Sequence, residues 1–238
     1  MRRPRTRHHP YGRGRPVKRT VLDLYCCQGG ATAGYQAAGY TVVGVDLDDQ
    51  PRYIGDEFWQ SDAISFLTVH ADWIRREVAF VHASPPCQFD SDCQRIQDNE
   101  HPDLIEPTRV ALEDLGLPYV IENVGGAVPK LREPVMLCGA MFGLARTYRH
   151  RYFSTGGWAL PQPGHPEHAV RQVKLGRSAL NGEAIQAIGN FAGVGIIRSE
   201  WGVPWMNRDG IREAIPPAYA EWIGRQFAGH LAAKEVAA

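Results

Sequence analysis

Residues 20–46 carry the pattern that most restricts the fold. A short apolar run, VLDLY within Val17–Tyr25, suits a buried strand. CCQGG then reads as a tight turn, and ATAGYQAAG as the helix it opens. A second β-branched run, Thr41–Val45, ends at Asp46. The rhythm continues. Trp59–Leu67 has room for a short third strand and a turn, Ala71–Glu77 reads as a helix, and Val78–Ala83 (VAFVHA) reads as another buried strand. Residues 102–116 read as a helix and Pro118–Val124 (PYVIENV) as a strand. Strand–helix–strand alternation predicts an α/β fold, a parallel sheet covered by helices on both faces.

The chain has 238 residues, enough for one large domain or a domain with a small appendage. The sequence divides into a basic flexible arm at 1–19, a cofactor-scale core at 20–155, a loop-rich region at 156–207 and a C-terminal helix at 208–238 that completes the core. Beyond about residue 134 the alternation breaks. Residues 156–182 are rich in Gly, Pro, His and Gln, poor material for regular elements. A helix is expected near the end, within 208–234 after the turn AIPPAY.

With 44% hydrophobic and 22% charged residues, the composition excludes a wholly disordered or fibrous chain. No apolar run reaches the length of about 18 residues that a membrane helix needs, so no membrane partner is expected. No apolar segment follows the N-terminal charges, so a secretory signal is not expected. Five cysteines, an odd number without a CxxC pair, fit a reducing, cytoplasmic compartment and argue against a disulfide framework. The same spacing argues against a structural zinc site, and no metal is expected. A net charge of zero hides an asymmetry: residues 1–19 hold eight Lys/Arg and no acid, which leaves 18 basic against 26 acidic residues in the remainder. An Arg-, Gly- and Pro-rich arm of this kind is either a phosphate-binding tail or a solvated end.

Four constellations carry chemistry. Asp23 to Gly30 (DLYCCQGG) places a glycine turn after a strand, where backbone N–H groups approach a ligand; Asp46 then stands where a carboxylate accepts from ribose hydroxyls. The GxGxxG spacing is absent, so a dinucleotide site is unsupported, and a turn serving packing alone competes with this reading. Ser84-Pro85-Pro86-Cys87-Gln88 follows the strand VAFVHA directly. Two prolines stiffen the loop, and a thiolate at a sheet crevice is a good carbon nucleophile, although a lone cysteine is more often a small buried residue. Glu122 in ENV ends an apolar strand, where a half-buried carboxyl with a raised pKa can donate to a ring nitrogen; alone, a strand-end Glu facing water is the simpler reading. Arg149 and Arg151 flank His150 in TYRHRYFST and share a face if this segment is a strand, which suits a base carbonyl and a phosphate.

Together, in this order and each after a strand, these pieces resemble the DNA cytosine-5 methyltransferase family. That family reads DLFCGxGG, PPCQ, ENV and QxRxR. Here DLYCCQGG stands at 23–30, PPCQ at 85–88, ENV at 122–124 and TYRHR at 147–151, and AIPPAYAEWIG at 214–224 is similar to the family's last motif. The likeness covers about residues 20–155 plus that segment and is nearest to the short forms that bacteriophages encode.

The resemblance implies a Rossmann-like sheet and S-adenosylmethionine as methyl donor. Asp23 and the backbone of Tyr25, Cys26, Gly29 and Gly30 would surround its amino-acid end. Asp46 would take its ribose and Asp62 its adenine amino group, with Pro86 and Cys87 between cofactor and base. Cys87 would add to cytosine C6, Glu122 would hold N3 and the exocyclic amine, and Arg149 or Arg151 would hold O2. The DNA partner would be a duplex with one cytosine flipped out of the stack. The sequence departs from the family at Cys27 (a glycine), Thr147 (a glutamine) and Glu213 (an asparagine). Only about 60 residues separate Arg151 from AIPP, so the target-recognition subdomain is small or absent and selectivity falls to a short contact or a protein partner. Two alternatives stay open: the same chemistry on RNA or single-stranded DNA, and a catalytically silent relic that binds nucleic acid or cofactor. An amino-group methyltransferase is disfavoured, because its loop ends in an aromatic residue where this one ends in a thiol.

Overall fold

A computed structural model describes residues 19–86, 103–173, 177–180 and 182–237. The basic arm, apart from Arg19, and the PPCQ residues Cys87 and Gln88 lie outside the described residues.

The chain runs β1 (Thr20–Leu24), α1 (Gly30–Ala37), β2 (Thr41–Asp46), β3 (Glu57–Gln60), α2 (Ala63–Val69), α3 (Ala71–Glu77), β4 (Val78–Ala83), α4 (Ile105–Leu115) and β5 (Tyr119–Asn123). There follow β6 (Val135–Leu137), β7 (Arg151–Gly156), α5 (Val194–Trp201), α6 (Arg208–Glu213) and α7 (Pro217–Ala237). Seven strands form one sheet in the order β3-β2-β1-β4-β5-β7-β6. The first five are parallel; β7 runs antiparallel to β5, and β6 antiparallel to β7.

Alternation along the strands builds two cores. Leu22, Leu24, Val43, Val45, Val81 and Ile121 face α2, α3 and α4. Val21, Val42, Phe80 and Val120 face α1 and α7. Burying each such side chain contributes about 1.5–3 kcal/mol. The two-sided cover agrees with the sequence expectation, because runs such as VAFVHA have no polar face to give to water. Residues 185–214 add a third cluster around Ile197, Trp201, Met206 and Ile211.

Helix ends follow local chemistry. Asp62 caps α2 by accepting from Ser65 N–H at 2.8 Å, and Asn207 caps α6 by accepting from Gly210 N–H at 2.8 Å. The cap at Asp62 corrects the expectation for Trp59–Leu67: strand β3 stops at Gln60, and a helix, not a turn, occupies 63–69. Helix α1 presses on α7. A Cβ on Gly34 would stand 2.1 Å from the Pro217 carbonyl oxygen, so only glycine permits this approach. From 157 to 193 the described residues hold no helix and no strand beyond one isolated bridge, Gln172 with Ala184. Among the described residues no helix is long and apolar enough to cross a membrane.

Candidate active site at the carboxyl edge of the sheet

Strand order reverses at β1, which lies between β2 and β4. In open α/β sheets such a switch leaves a crevice beyond the carboxyl ends of the strands. Two of the sequence motifs reach it: the loop Tyr25–Gly29 after β1 and the loop from Ser84 after β4.

The first loop is tightly wound. Tyr25, Cys27 and Gly29 all take left-handed backbone conformations, at φ 59°, 45° and 85°. For the two non-glycine residues this costs about 1 kcal/mol or more each. Hydrogen bonds hold them there. Cys26 N–H donates to Val45 O at 3.2 Å and Gly29 N–H to Cys26 O at 2.9 Å. Cys27 N–H donates to Asp46 Oδ2 at 2.8 Å, and the Tyr25 hydroxyl meets Thr108 Oγ1 at 2.7 Å. Cys27 thus holds a backbone conformation that favours glycine. Its thiol lies 3.6 Å from Glu213 Oε2. Burial, with Asp46 and Glu213 beside it, pushes that thiol far up; burial with Asp23 and Asp46 does the same to Cys26. Both stay protonated and are poor nucleophiles.

Asp23 is buried in β1 and accepts from Thr32 Oγ1 at 2.6 Å. Burial raises its pKa from 3.8 to about 7 against the pull of the Thr32 hydrogen bond. Asp46, half-buried, also accepts from Asp48 N–H at 3.1 Å. Asp46 and Gln60 are register partners, so Asp62 follows two residues beyond, exposed on the same edge. Gly30 sits under the α6–α7 junction, where a Cβ would meet Ala214 and the Ile215 carbonyl at 2.7 and 2.8 Å; packing alone demands this glycine. Gln28 escaped the sequence reading. Its Nε2 donates to Asn207 Oδ1 at 2.8 Å, its Oε1 accepts from Asn207 N–H at 3.1 Å, and its carbonyl accepts from Trp205 Nε1 at 2.8 Å. It docks the segment WMNRDG onto the glycine turn. Gly210 packs against it, where a Cβ would meet Gln28 Oε1.

The second half of the edge gathers Ser84, Pro85, Pro86, Glu122 and Asn123. Asn123 Nδ2 donates to Pro85 O at 3.0 Å and so ties the end of β5 to the loop that leads into Cys87. Pro86 is exposed. Glu122 is buried, and burial raises its pKa, opposed by Arg151, Ser84 and Arg149. Arg151 Nε stands 2.9 Å from Glu122 Oε1, an ion pair not aligned as a hydrogen bond. Behind them His82, fully buried and missed in the sequence, meets the Tyr35 hydroxyl at 2.8 Å and Ser84 Oγ at 3.0 Å. Burial drives its pKa down to about 3, so the ring is neutral.

The two arginines do not share a face, which corrects the strand reading of TYRHR. Strand β7 begins only at Arg151, and Arg149 stands before it in a left-handed conformation, φ 37°. Its guanidinium donates to the carbonyls of Ala214 (2.8 Å), Ala187 (2.9 Å) and Arg212 (2.6 Å). The Tyr219 hydroxyl lies 2.9 Å from the carbonyls of both Tyr148 and Arg149. Arg149 therefore locks the α6–α7 junction to the entrance of β7, while Arg151 stands in direct contact with Glu122.

No protein-family model matches the chain, and no curated protein matches it. Among solved structures, the S. pombe Dnmt2 methyltransferase superposes with a TM-score of 0.53 at 13% identity, covering 89% of this chain and 98% of that one. The SAM-dependent methyltransferase from Agrobacterium tumefaciens matches 45% of this chain and 38% of its own at 20% identity, TM-score 0.28. The bifunctional kinase–methyltransferase WbdD matches 62% and 38% at 16% identity, TM-score 0.36. The sheet order, the helices on both faces and the full-length superposition make this a Rossmann-like α/β methyltransferase fold.

Proposed function

We propose that the protein transfers a methyl group from S-adenosylmethionine to carbon 5 of cytosine in DNA. The observation that carries the reading is the join between Asn123 and Pro85: it sets the buried carboxyl of Glu122 beside the loop that continues into Cys87.

The first loop and its neighbours fit the cofactor. S-adenosylmethionine is cationic at its sulfonium and its ammonium, and the edge here is acidic. Asp46 and Asp62 have no salt-bridge partner among the described residues, and the second oxygen of Asp62 has no hydrogen-bond partner there. Asp46 would hold the ribose hydroxyls and Asp62 the adenine amino group, as the resemblance to cytosine-5 methyltransferases implies. When bound, the cofactor supplies an electrophilic methyl group.

The chain's own residues do the rest. Cytosine C5 is a weak nucleophile until a thiolate adds to C6. Cys87, the residue after Pro86, is the thiol in that role; Cys26 and Cys27 are held protonated and do not compete. Glu122, its carboxyl pushed toward the protonated form, donates to ring N3 and so stabilises charge as C6 is attacked. Arg151, which pairs with Glu122, would hold O2. Loss of the C5 proton to water frees the electron pair that forms the C5–C6 double bond and expels the Cys87 thiolate from C6, which restores the ring. A stacked base is out of reach, so the target must leave the helix, at a cost of a few kcal/mol. The Arg-rich arm at 1–19 would supply phosphate affinity.

The test is incubation with S-adenosylmethionine and unmodified duplex DNA, digestion to nucleosides and mass spectrometry. A methyl on carbon 5 of deoxycytidine is expected. Methylation of single-stranded DNA or RNA alone moves the substrate, and no product with any nucleic acid overturns the reading.

A further inference from the structure

Away from this edge, four side chains from three stretches of chain converge. Cys138 follows β6, His150 stands just before β7, and His165 and His168 lie in the coil after β7. One ligand atom from each lies within 4.8 Å of all the others. Cys138 Sγ is 3.3 Å from His168 Nε2, and His150 Nε2 is 3.3 Å from the same nitrogen. A tetrahedral zinc ion with bonds of about 2.0 Å to nitrogen and about 2.3 Å to sulfur sets its ligand atoms about 3.3–3.6 Å apart. The two measured separations are of that size.

Hydrogen bonding alone does not account for the cluster. An imidazole nitrogen offers one N–H or one lone pair in the ring plane. His168 Nε2 can satisfy Cys138 or His150, not both, whereas a cation between them satisfies all at once. The surroundings hold the ligands in place. The Tyr148 ring stacks on His168 at 3.7 Å between centroids and 6° between planes. Its hydroxyl donates to Val170 O and accepts from Val170 N–H, both at 2.8 Å. Gly139 N–H donates to Tyr148 O at 2.6 Å. A Cβ on Gly139 would stand 1.8 Å from the Thr147 carbonyl oxygen, so the chain beside Cys138 and the chain before His150 approach as only glycine allows. The Cys138 thiol is buried and in no disulfide.

We propose that Cys138, His150, His165 and His168 form a structural Zn²⁺ site. One thiolate with three imidazoles is a borderline-soft donor set that suits zinc. Four protein ligands fill a tetrahedral shell and leave no open position for chemistry. The site clips the coil after β7, whose described residues up to 193 form no helix and no strand, back onto the β6–β7 pair. Residues 30 apart, Cys138 and His168, become one cross-link, and a clip over a long loop removes much unfolded-state entropy. It also fixes His150, between Arg149 and Arg151. Cysteine spacing alone could not reveal it; the visible signal was His165-x-x-His168.

The test uses the full chain, free of any histidine tag and purified from zinc-supplemented medium without chelator. Elemental analysis should find one zinc per chain. Replacement by Co²⁺ should give the visible bands of tetrahedral cobalt and a near-ultraviolet thiolate-to-cobalt charge-transfer band. Cys138→Ser should remove that charge-transfer band. His165→Ala, at an exposed position outside the core, should cut zinc retention at least tenfold and decides the matter if Cys138→Ser does not fold. Absence of zinc and of a tetrahedral cobalt spectrum overturns the proposal, as does metal content that neither variant changes, which would place the ion on other thiols.

Discussion

Replacing Asp23 by Asn should change how stability depends on pH, by an amount the structure sets. Asp23 is fully buried, and its pKa rises from 3.8 to about 7. Between those values the folded chain keeps the proton and the unfolded chain loses it. Stability therefore falls as pH rises, by about 1.4 kcal/mol per pH unit, and the loss is complete above the folded pKa. Asn cannot ionise, yet its Oδ1 can still accept the Thr32 hydroxyl that Asp23 accepts at 2.6 Å. The stability difference, variant minus parent, should thus rise by about 3 kcal/mol between about pH 5 and about pH 8. The difference matters more than either profile. His82, the register partner of Asp23 on β4, is driven down from 6.5 to about 3, so its contribution is lost as pH falls from 6.5 toward 3. In the parent the two slopes oppose each other; in the variant the His82 slope stands unmasked. Urea unfolding followed by fluorescence of the six tryptophans gives the profiles. A constant offset between variant and parent over this range would mean that Asp23 is charged in the fold, and would refute the burial argument.

Cys87→Ala should abolish methyl transfer and leave calorimetric binding of S-adenosylmethionine near the parent value; residual methylation would remove Cys87 as nucleophile. Glu122→Gln should cut turnover by about 10² or more with the melting temperature nearly unchanged, since the amide keeps the carboxyl's shape; a collapse in thermal stability would make Glu122 a structural residue. Arg149→Met leaves three carbonyls without the donor they now share and should cost about 3 kcal/mol or more in urea unfolding. Deleting residues 2–19 should weaken duplex binding and flatten its dependence on salt, read by fluorescence anisotropy across a salt series.

The core was legible wherever one period ruled a segment. VAFVHA and TVVGVD have no polar alternation, so they could only be buried strands, and β4 and β2 end where the sequence says. Short motifs at strand ends also announced themselves, because Asp46, Ser84 and Glu122 interrupt apolar runs. What stayed hidden was set by contacts distant in sequence. Arg149 looks like the twin of Arg151 until the carbonyls of Ala187, Arg212 and Ala214 claim it. Gln28 looks like a spacer until Asn207, 179 residues away, takes both ends of its amide. His82 reads as an oddity in a strand until Tyr35 and Ser84 bracket it. The order of β7 and β6 on the sheet had no signal either, since an antiparallel return needs only a loop and leaves no periodic mark.

One physical change explains why the site lies where it does. On the sheet face beneath α1 and α7, the residues nearest the amino ends of the strands are Val21, Val42, Phe80 and Val120. One step on, along the same face, stand Asp23, Gly44 and His82, level with Val120, and then Asp46, Ser84 and Glu122. The face turns from apolar to polar across four adjacent strands within a few residues. Hydrophobic burial alone would reject this arrangement, since each buried polar group must find a partner or carry its desolvation cost. The partners supplied are few and directional: Thr32 for Asp23, Tyr35 and Ser84 for His82, Arg151 for Glu122. A chain of contacts thus runs from Tyr35 on α1 through His82 and Ser84 to Glu122, from the helix that opens the first loop to the carboxyl beside the second. The two loops are positioned by one shared network, so a disturbance at His82 should be felt at Glu122 before it is felt in the apolar core below.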